Sequence, residues 1–286
     1  MSEELITSVW GVGRPASPTR VMNSAQLIHF HLRDDIISMR RRPGEPINEK
    51  DITQAYGVSR TPVREALLRL SEEGLIDIIA KSGTIVSRIP ADELPEAILA
   101  RKAIEQMTAR MAAELAAKSD VLKLRAIVER QKEALRSNDI DGFHDEDEAL
   151  HRSIMAAAGL PGIWRFVEGI KVQLDRFRRL TLPQAHRMER ALAEHVELVD
   201  AIGAGLSEKA ATVIGDHLDW LGASLPKIRE IGPDYFSGNL EDAHVRWARR
   251  SPAPSVAPAS PVGNRAGASD IAPRAGHMEI KSREGA

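Results

Sequence analysis

The chain has 286 residues, no cysteine and a formal net charge of −2. That length accommodates two domains, each able to bury its own core, while the missing thiols exclude disulfides and thiolate metal sites and point to a reducing compartment. No apolar run approaches the length of a membrane-spanning helix, and the opening MSEELITSVW lacks the basic region and long apolar core of a signal peptide, so a soluble, cytoplasmic protein without a membrane partner is expected.

Residues 1–20 carry no helical period and include Gly, Pro and Ser; they read as a flexible N-terminal arm. The first predicted helix then runs through "NSAQLIHFHLRDDIISMRRR". Ser24 is its expected cap, Leu27, Ile28, Leu32, Ile36 and Ile37 form its apolar face, and Pro43-Gly44 stops it. The cluster Arg40, Arg41, Arg42 adds either phosphate attraction or, more simply, positive charge at a helix C-terminus. A second helix follows, with Asn48 as cap, Ile52, Ala55 and Tyr56 packing, and Gly57 at the left-handed C-terminal position.

The third helix begins in "VSRTPVREALLRL". Val63, Ala66, Leu67 and Leu70 follow the i, i+3, i+4, i+7 spacing of one buried stripe, so Arg60, Thr61 and Arg64 face elsewhere. Ser59 is the expected N-cap, and Pro62 falls in the first turn, where a missing N–H costs nothing. A helix that buries one side and presents basic residues at its N-terminus has the geometry of a recognition helix for the DNA major groove; a solvated charged face is the plainer alternative. Then "GLIDIIAKSGTIVSRIP" switches to two β-prone runs around Lys81-Ser82-Gly83, a hairpin signal. Helix, helix, tight turn, helix, hairpin make residues 21–90 a winged helix-turn-helix with a β-hairpin wing.

Residues 91–236 change to almost pure helix. About six segments divide near Lys118-Ser119, Asn138-Asp139, Gly159 to Gly162, Leu182-Pro183 and Gly203 to Ser207, which predicts a mainly α protein whose second domain is an all-α antiparallel helical bundle. Beyond Gly232-Pro233 the period fades, and residues 237–286, rich in Pro, Ala, Ser and Gly, read as a disordered tail. The charge is unevenly spread: 12 basic and 11 acidic residues up to Pro90, 20 and 25 from Ala91 to Phe236, 7 and 5 thereafter. So small a bias in the first segment says little about nucleic acid by itself.

The run Ser-Arg-Thr-Pro-Val-Arg-Glu-Ala-Leu, within "NEKDITQAYGVSRTPVREALLRLSEEGLIDIIAKSGTIV", resembles the winged-helix domain of the GntR superfamily of bacterial transcription regulators. The helical segment with "ARKAIE", "DEALHRSI", "EHVELVDAI" and "DHLDW" resembles the FCD effector-binding domain of its FadR-type subfamily. The resemblance implies that Arg60 and Arg64 contact bases or phosphates, that Thr61 adds a phosphate contact, and that Lys50, Ser82 and Gly83 occupy further contact positions. At Lys50 the family more often has arginine. It also implies a homodimeric repressor on palindromic operator DNA, with binding modulated by a small organic acid.

Asp147 and His151 lie four apart, so on a helix they project from one face and could grip an ion; a simple surface pair is the common alternative at this spacing. The FadR-type pattern adds His195 and His217 from later helices, implying that Asp147, His151, His195 and His217 hold a divalent ion such as zinc, nickel or manganese. His144, one heptad before His151, is expected to be exposed among Asp145, Glu146 and Glu148. Arg101 matches the family arginine that clamps an effector carboxylate, with a salt bridge to Glu105 as its alternative. Leu160 and Leu206 stand where the family has Asn and Asp; both fall in connecting turns and bear on capping rather than on the ligand set. Beside the regulator stand two other readings: a metal-dependent hydrolase using the Asp/His site, against which the chain shows no HExxH, GxSxG or phosphate loop, and a purely structural ion.

Overall fold

The computed structural model describes residues 22–248 apart from 182–185, 228–229, 231, 240–242, 244 and 246. The expected arm, the Leu182-Pro183 division and residues 249–286 of the expected tail lie outside the described residues.

The N-terminal half holds α1 (Ser24–Ile37), β1 (Pro46–Ile47), α2 (Glu49–Tyr56), α3 (Arg60–Glu72), β2 (Ile76–Ile79) and β3 (Gly83–Val86). Helix α1 starts one residue earlier than expected from Ser24. Asn23 caps it, accepting from the Gln26 N–H while the Gln26 side chain accepts from the Asn23 N–H, a reciprocal capping box. It ends at Ile37, well before Pro43, because Met39 takes a positive φ of 63° and turns the chain. Asn48 caps α2, and Gly57 closes it at φ 64°, as the sequence required. Ser59 sits at the N-cap of α3 but its side chain makes no capping hydrogen bond, so that expectation holds for position and not for the bond.

Ile28, Leu32 and Ile36 from α1 meet Val63, Ala66, Leu67 and Leu70 from α3 in one apolar core closed by Ile76 and Val86. The wing hairpin pairs Ile76 with Val86 and Ile79 with Gly83 in antiparallel register. A short strand absent from the sequence reading, β1, adds to its other edge through Pro46 opposite Ile85 and Ile47 opposite Thr84. Two residues give too little pattern to be read, and proline is tolerated there because β1 is an edge.

Six helices follow: α4 (Leu94–Leu115), α5 (Lys118–Arg136), α6 (Ile140–Ala157), α7 (Trp164–Thr181), α8 (Arg187–Gly203) and α9 (Ser207–Ala223). Helix α4 packs along α9, and α5 bridges α6 and α8. Their shared core includes Ile98, Leu124, Leu150, Ile154, Leu174, Phe177, Leu198 and Leu218. Leu206 is the N-cap of α9 and offers no side-chain acceptor, so the departure from Asp costs this helix a cap.

Part of the segment read as a tail folds onto this core. Phe236–Ser237 (β5) pairs in parallel with Ile89–Pro90 (β4), and Ala243 and Trp247 are buried in the same cluster. Trp247 lies flat on Gly222 of α9, where a Cβ would stand 1.9 Å from its ring. Small residues near Trp247 hid it from composition, while a single large ring fills the space that glycine leaves.

Helix α7 touches both halves. Val172 joins the winged-helix core, the Gln173 amide donates to the Gly74 carbonyl at 3.1 Å, and the Arg176 guanidinium donates to the Ser87 carbonyl at 2.6 Å. On another face of the same helix, Lys171, Asp175 and Arg178 point into the bundle.

Candidate DNA-contact face and candidate metal centre

The stripe of α3 works as its spacing requires: Val63, Ala66, Leu67 and Leu70 are buried, and Arg60, Thr61 and Arg64 are exposed in the first turns. Arg64 Nε lies 3.3 Å from Glu49 Oε2, next to exposed Lys50, so α2 and α3 bring their N-terminal basic residues to one neighbourhood. Ser82 and Gly83 are exposed in the wing turn, where Lys81 and Gly83 both have positive φ. The cluster after α1 is different. Arg40 pairs with Asp34 and Asp35, and Arg41 with Asp35 and Glu45. The charges of Arg40 and Arg41 are thus paired within the chain, and because α1 ends at Ile37 with no basic residue in its last turn, the cluster lies beyond the helix instead of forming the C-terminus that the sequence predicts.

In the bundle, three helices deliver four side chains to one point. Asp147 and His151 come from one face of α6, His195 from α8 and His217 from α9, and each offers a ligand atom within 4.8 Å of the others. His151 Nε2 is 3.6 Å from Asp147 Oδ2, and His195 Nε2 is 3.6 Å from Asp147 Oδ1. The ring centroids of His195 and His217 are 4.6 Å apart, and each is 5.5 Å from that of His151.

Every histidine is oriented from behind. His151 Nδ1 donates to Glu105, His195 Nδ1 donates to Gln131 Oε1 at 3.0 Å, and His217 Nδ1 donates to Glu194 Oε2 at 2.8 Å. These acceptors fix the Nδ1–H tautomer and leave the Nε2 lone pairs free. Nε2 of His151 and of His195 is buried without a hydrogen-bond partner among the described residues, an expensive arrangement unless something accepts the lone pair. Burial lowers the pKa of His195 well below its usual value, helped by the neighbouring His217, and burial likewise lowers His217. Burial opposes ionisation of Asp147, but the Arg178 guanidinium beside it outweighs that and holds the carboxyl well below its usual range. Imidazoles that turn Nε2 toward one point, a carboxylate, and an orienting partner behind each ring fit a divalent cation.

Above these residues lies a pocket lined by Arg101, Arg178, Arg187, Arg190, Glu194, His217 and Trp220, among others, enclosing a cavity of about 10 Å³. That is room for roughly one water molecule. Arg101 makes the salt bridge with Glu105 that the sequence offered as its alternative role, and it also lines the pocket, with Nη1 buried and without a hydrogen-bond partner among the described residues. Arg178 Nη2 sits 2.7 Å from Asp147 Oδ2. Burial opposes the charge of Glu105, yet Arg101 and His151 pull its pKa down to about 2.

His144 corrects the sequence reading: it is 2% exposed rather than exposed among acidic residues. Seven residues are close to two helical turns, so a partner of His151 at that spacing shares its buried face. His144 Nε2 lies 3.5 Å from Glu148 Oε1, and Glu148 and Asp175 complete a second histidine–carboxylate group. There the Lys171 ammonium already pairs with both carboxylates. Sequence reasoning missed Gln131, Glu194, Arg178, Arg187 and Arg190. Glu194 had a faint signal, standing beside His195; Gln131 had none, being 64 residues away from its partner.

Known proteins place both halves. Residues 25–86 match the family model described as "Bacterial regulatory proteins, gntR family", and residues 96–219 match the FCD domain. The chain is 30% identical over 221 residues to the "HTH-type transcriptional repressor RspR" of Escherichia coli (strain K12), covering 77% of this chain and 96% of that protein. It is 28% identical to the "Probable D-xylose utilization operon transcriptional repressor" of Paenarthrobacter nicotinovorans, covering 70% and 87%. Among solved structures, E. coli McbR/YncC superposes with a TM-score of 0.63 at 20% identity, over 73% of this chain and all of that one, and so shares the fold. Among the described residues, no helix is long and apolar enough to cross a membrane.

Proposed function

Because the chain belongs to the GntR family of bacterial regulatory proteins, with an FCD domain as its helical half, and is a DNA-binding transcription regulator, we propose that two copies bind a palindromic operator and release it when a small organic acid enters the bundle. Arg60 and Arg64 read or clamp the DNA, with Thr61, Lys50 and the wing residues Ser82 and Gly83 on phosphates. A guanidinium that bonds a guanine edge through two parallel donors discriminates bases by roughly 1–3 kcal/mol. The exposed N-terminal face of α3 supports this assignment.

Asp147, His151, His195 and His217 are the residues that would hold a divalent ion such as zinc, nickel or manganese. When bound, the ion supplies an open Lewis-acid position for an effector carboxylate. The observation that carries this reading is the pair of buried, unpartnered Nε2 atoms on His151 and His195, each ring held from behind. Arg101, with its free Nη1, would bind the same carboxylate.

Helix α7 supplies the route to the DNA-binding half. Arg178 on one face pairs with Asp147, while Arg176 and Gln173 on another hold the carbonyls of Ser87 and Gly74. An acid that draws Arg178 away from Asp147 pulls on a helix that also contacts the wing domain. For the acid to act, it must bind the DNA-competent and incompetent arrangements unequally. The hydrolase alternative finds no support, since the family's members are non-enzymatic DNA-binding regulators.

Elemental analysis of wild type and His195→Ala, purified without chelator or histidine tag, tests the site. We expect about one ion per wild-type chain and little in the variant. Absence of an ion in the wild type even after adding zinc, nickel or manganese overturns the metal reading. An ion whose removal lowers stability, in a chain whose DNA binding no carboxylate alters, marks it as structural only.

A further inference from the structure

Four arginines reach the pocket above the histidines, and three of them have a carboxylate within the chain. Arg101 pairs with Glu105, Arg178 with Asp147, and Arg190 Nε with Glu194 Oε1 at 2.7 Å. Arg187 does not. It is 9% exposed, and its contacts among the described residues are a 3.3 Å hydrogen bond donated to the neutral Ser224 hydroxyl and the face of Trp220, 5.3 Å from its ring centre. A buried guanidinium without a counter-charge is costly to keep, and leaving one unpaired costs far more than a surface charge.

The surroundings sharpen the imbalance. Trp220 carries Arg190 at 4.2 Å as well as Arg187, and the Lys227 ammonium at 5.9 Å, so one ring is flanked by three cations. Burial, and next the nearby Arg178 charge, push the Arg187 guanidinium down to about 9, against the partial relief of Glu194 and Asp147. Among the described residues, Arg187 is the pocket arginine with which no carboxylate is paired.

We propose that the effector carries two anionic groups, and that Arg187, against Trp220, binds the second. This deepens the effector reading above and rests on it: one carboxylate belongs to the ion site and Arg101, and the other anion, carboxylate or phosphate, completes Arg187. A monoacid satisfies only the first. Because the cavity holds about 10 Å³, ligand entry requires the arginine side chains that line it to move aside. The sequence offers no hint of this, since Arg187 and Ser224 meet from different helix ends and only burial reveals which arginine lacks a partner.

Calorimetric titration of the full-length, metal-loaded chain with butyrate, succinate, glutarate and 2-phosphoglycolate tests it. The best dianion should bind at least about tenfold more tightly than butyrate, the scale of one added hydrogen bond to a charged group. Tightest binding by a dicarboxylate assigns a carboxylate to Arg187; tightest binding by 2-phosphoglycolate assigns a phosphate. Arg187→Gln should weaken the best two-anion ligand at least about tenfold more than it weakens butyrate, with metal content retained, and Arg187→Lys should keep part of the preference, with circular dichroism verifying the fold of each. Butyrate binding as tightly as every dianion overturns the proposal, as does an Arg187→Gln loss shared equally by all ligands. If no acid binds the metal-loaded chain, the effector reading itself fails and takes this inference with it.

Discussion

The two halves of the molecule put their candidate functional residues in opposite places. In the winged half, Arg60, Thr61 and Arg64 stand exposed on a single helix, above an apolar cluster of Val63, Ala66, Leu67 and Leu70 with Ile28, Leu32 and Ile36. In the bundle, Asp147, His151 and His195 are at most 1% exposed, and with His217 they come from three helices, with further partners from α4 and α5. A site for a large polyanion needs only a charged face on a stable support. A site for a small ligand must surround it, which drives polar groups inside, where each must be satisfied by another element.

The contrast implies that mutations in the two sites fail differently. The largest expected effect is on the bundle. Asp147→Ala removes the carboxylate 2.7 Å from the buried Arg178 and should cost about 3–5 kcal/mol in denaturant unfolding of the metal-free chain, the usual cost of stranding a buried charge. A loss within about 0.5 kcal/mol, as for a surface site, would erase the distinction drawn above. Arg64→Ala should do the reverse. It should weaken operator binding by about 1–3 kcal/mol in a titration at fixed salt, with unfolding free energy changed by no more than about 0.5 kcal/mol. A large stability loss there would mean that the Glu49 contact, not DNA, explains the residue.

The smallest effect concerns a charge that belongs to neither site. Glu73 joins His29 at 2.5 Å and Arg33 at 2.6 Å, tying the end of α3 to α1. Burial opposes its ionisation, but the hydrogen bonds from His29 and Arg33 leave its pKa lowered. A depressed carboxyl stabilises the fold above its unfolded pKa, and that contribution disappears as pH falls through the folded value. Glu73→Gln should therefore lose at most about 1 kcal/mol at neutral pH and approach wild-type stability in acid. A deficit that stays constant with pH would assign the residue to packing instead.

The sequence by itself determined the helices, the wing hairpin and which residues of α3 face outward. The stripe of Val63, Ala66, Leu67 and Leu70 dictates which way Arg60 and Arg64 face, Asn48 and Gly57 bound α2, and the breaks between segments give the six helices of the bundle. All of these follow from neighbours within about two helical turns, where backbone geometry fixes the answer. The resemblance supplied His195 and His217, which no local rule could connect to Asp147. Tertiary structure alone decided the rest: that His144 is buried, that Gln131 and Glu194 turn the imidazoles, that Trp247 packs back on Gly222, and that Arg187 is the pocket arginine left without a carboxylate. Such features depend on which groups from distant segments share one low-dielectric space, and periodicity carries no record of what lies across it.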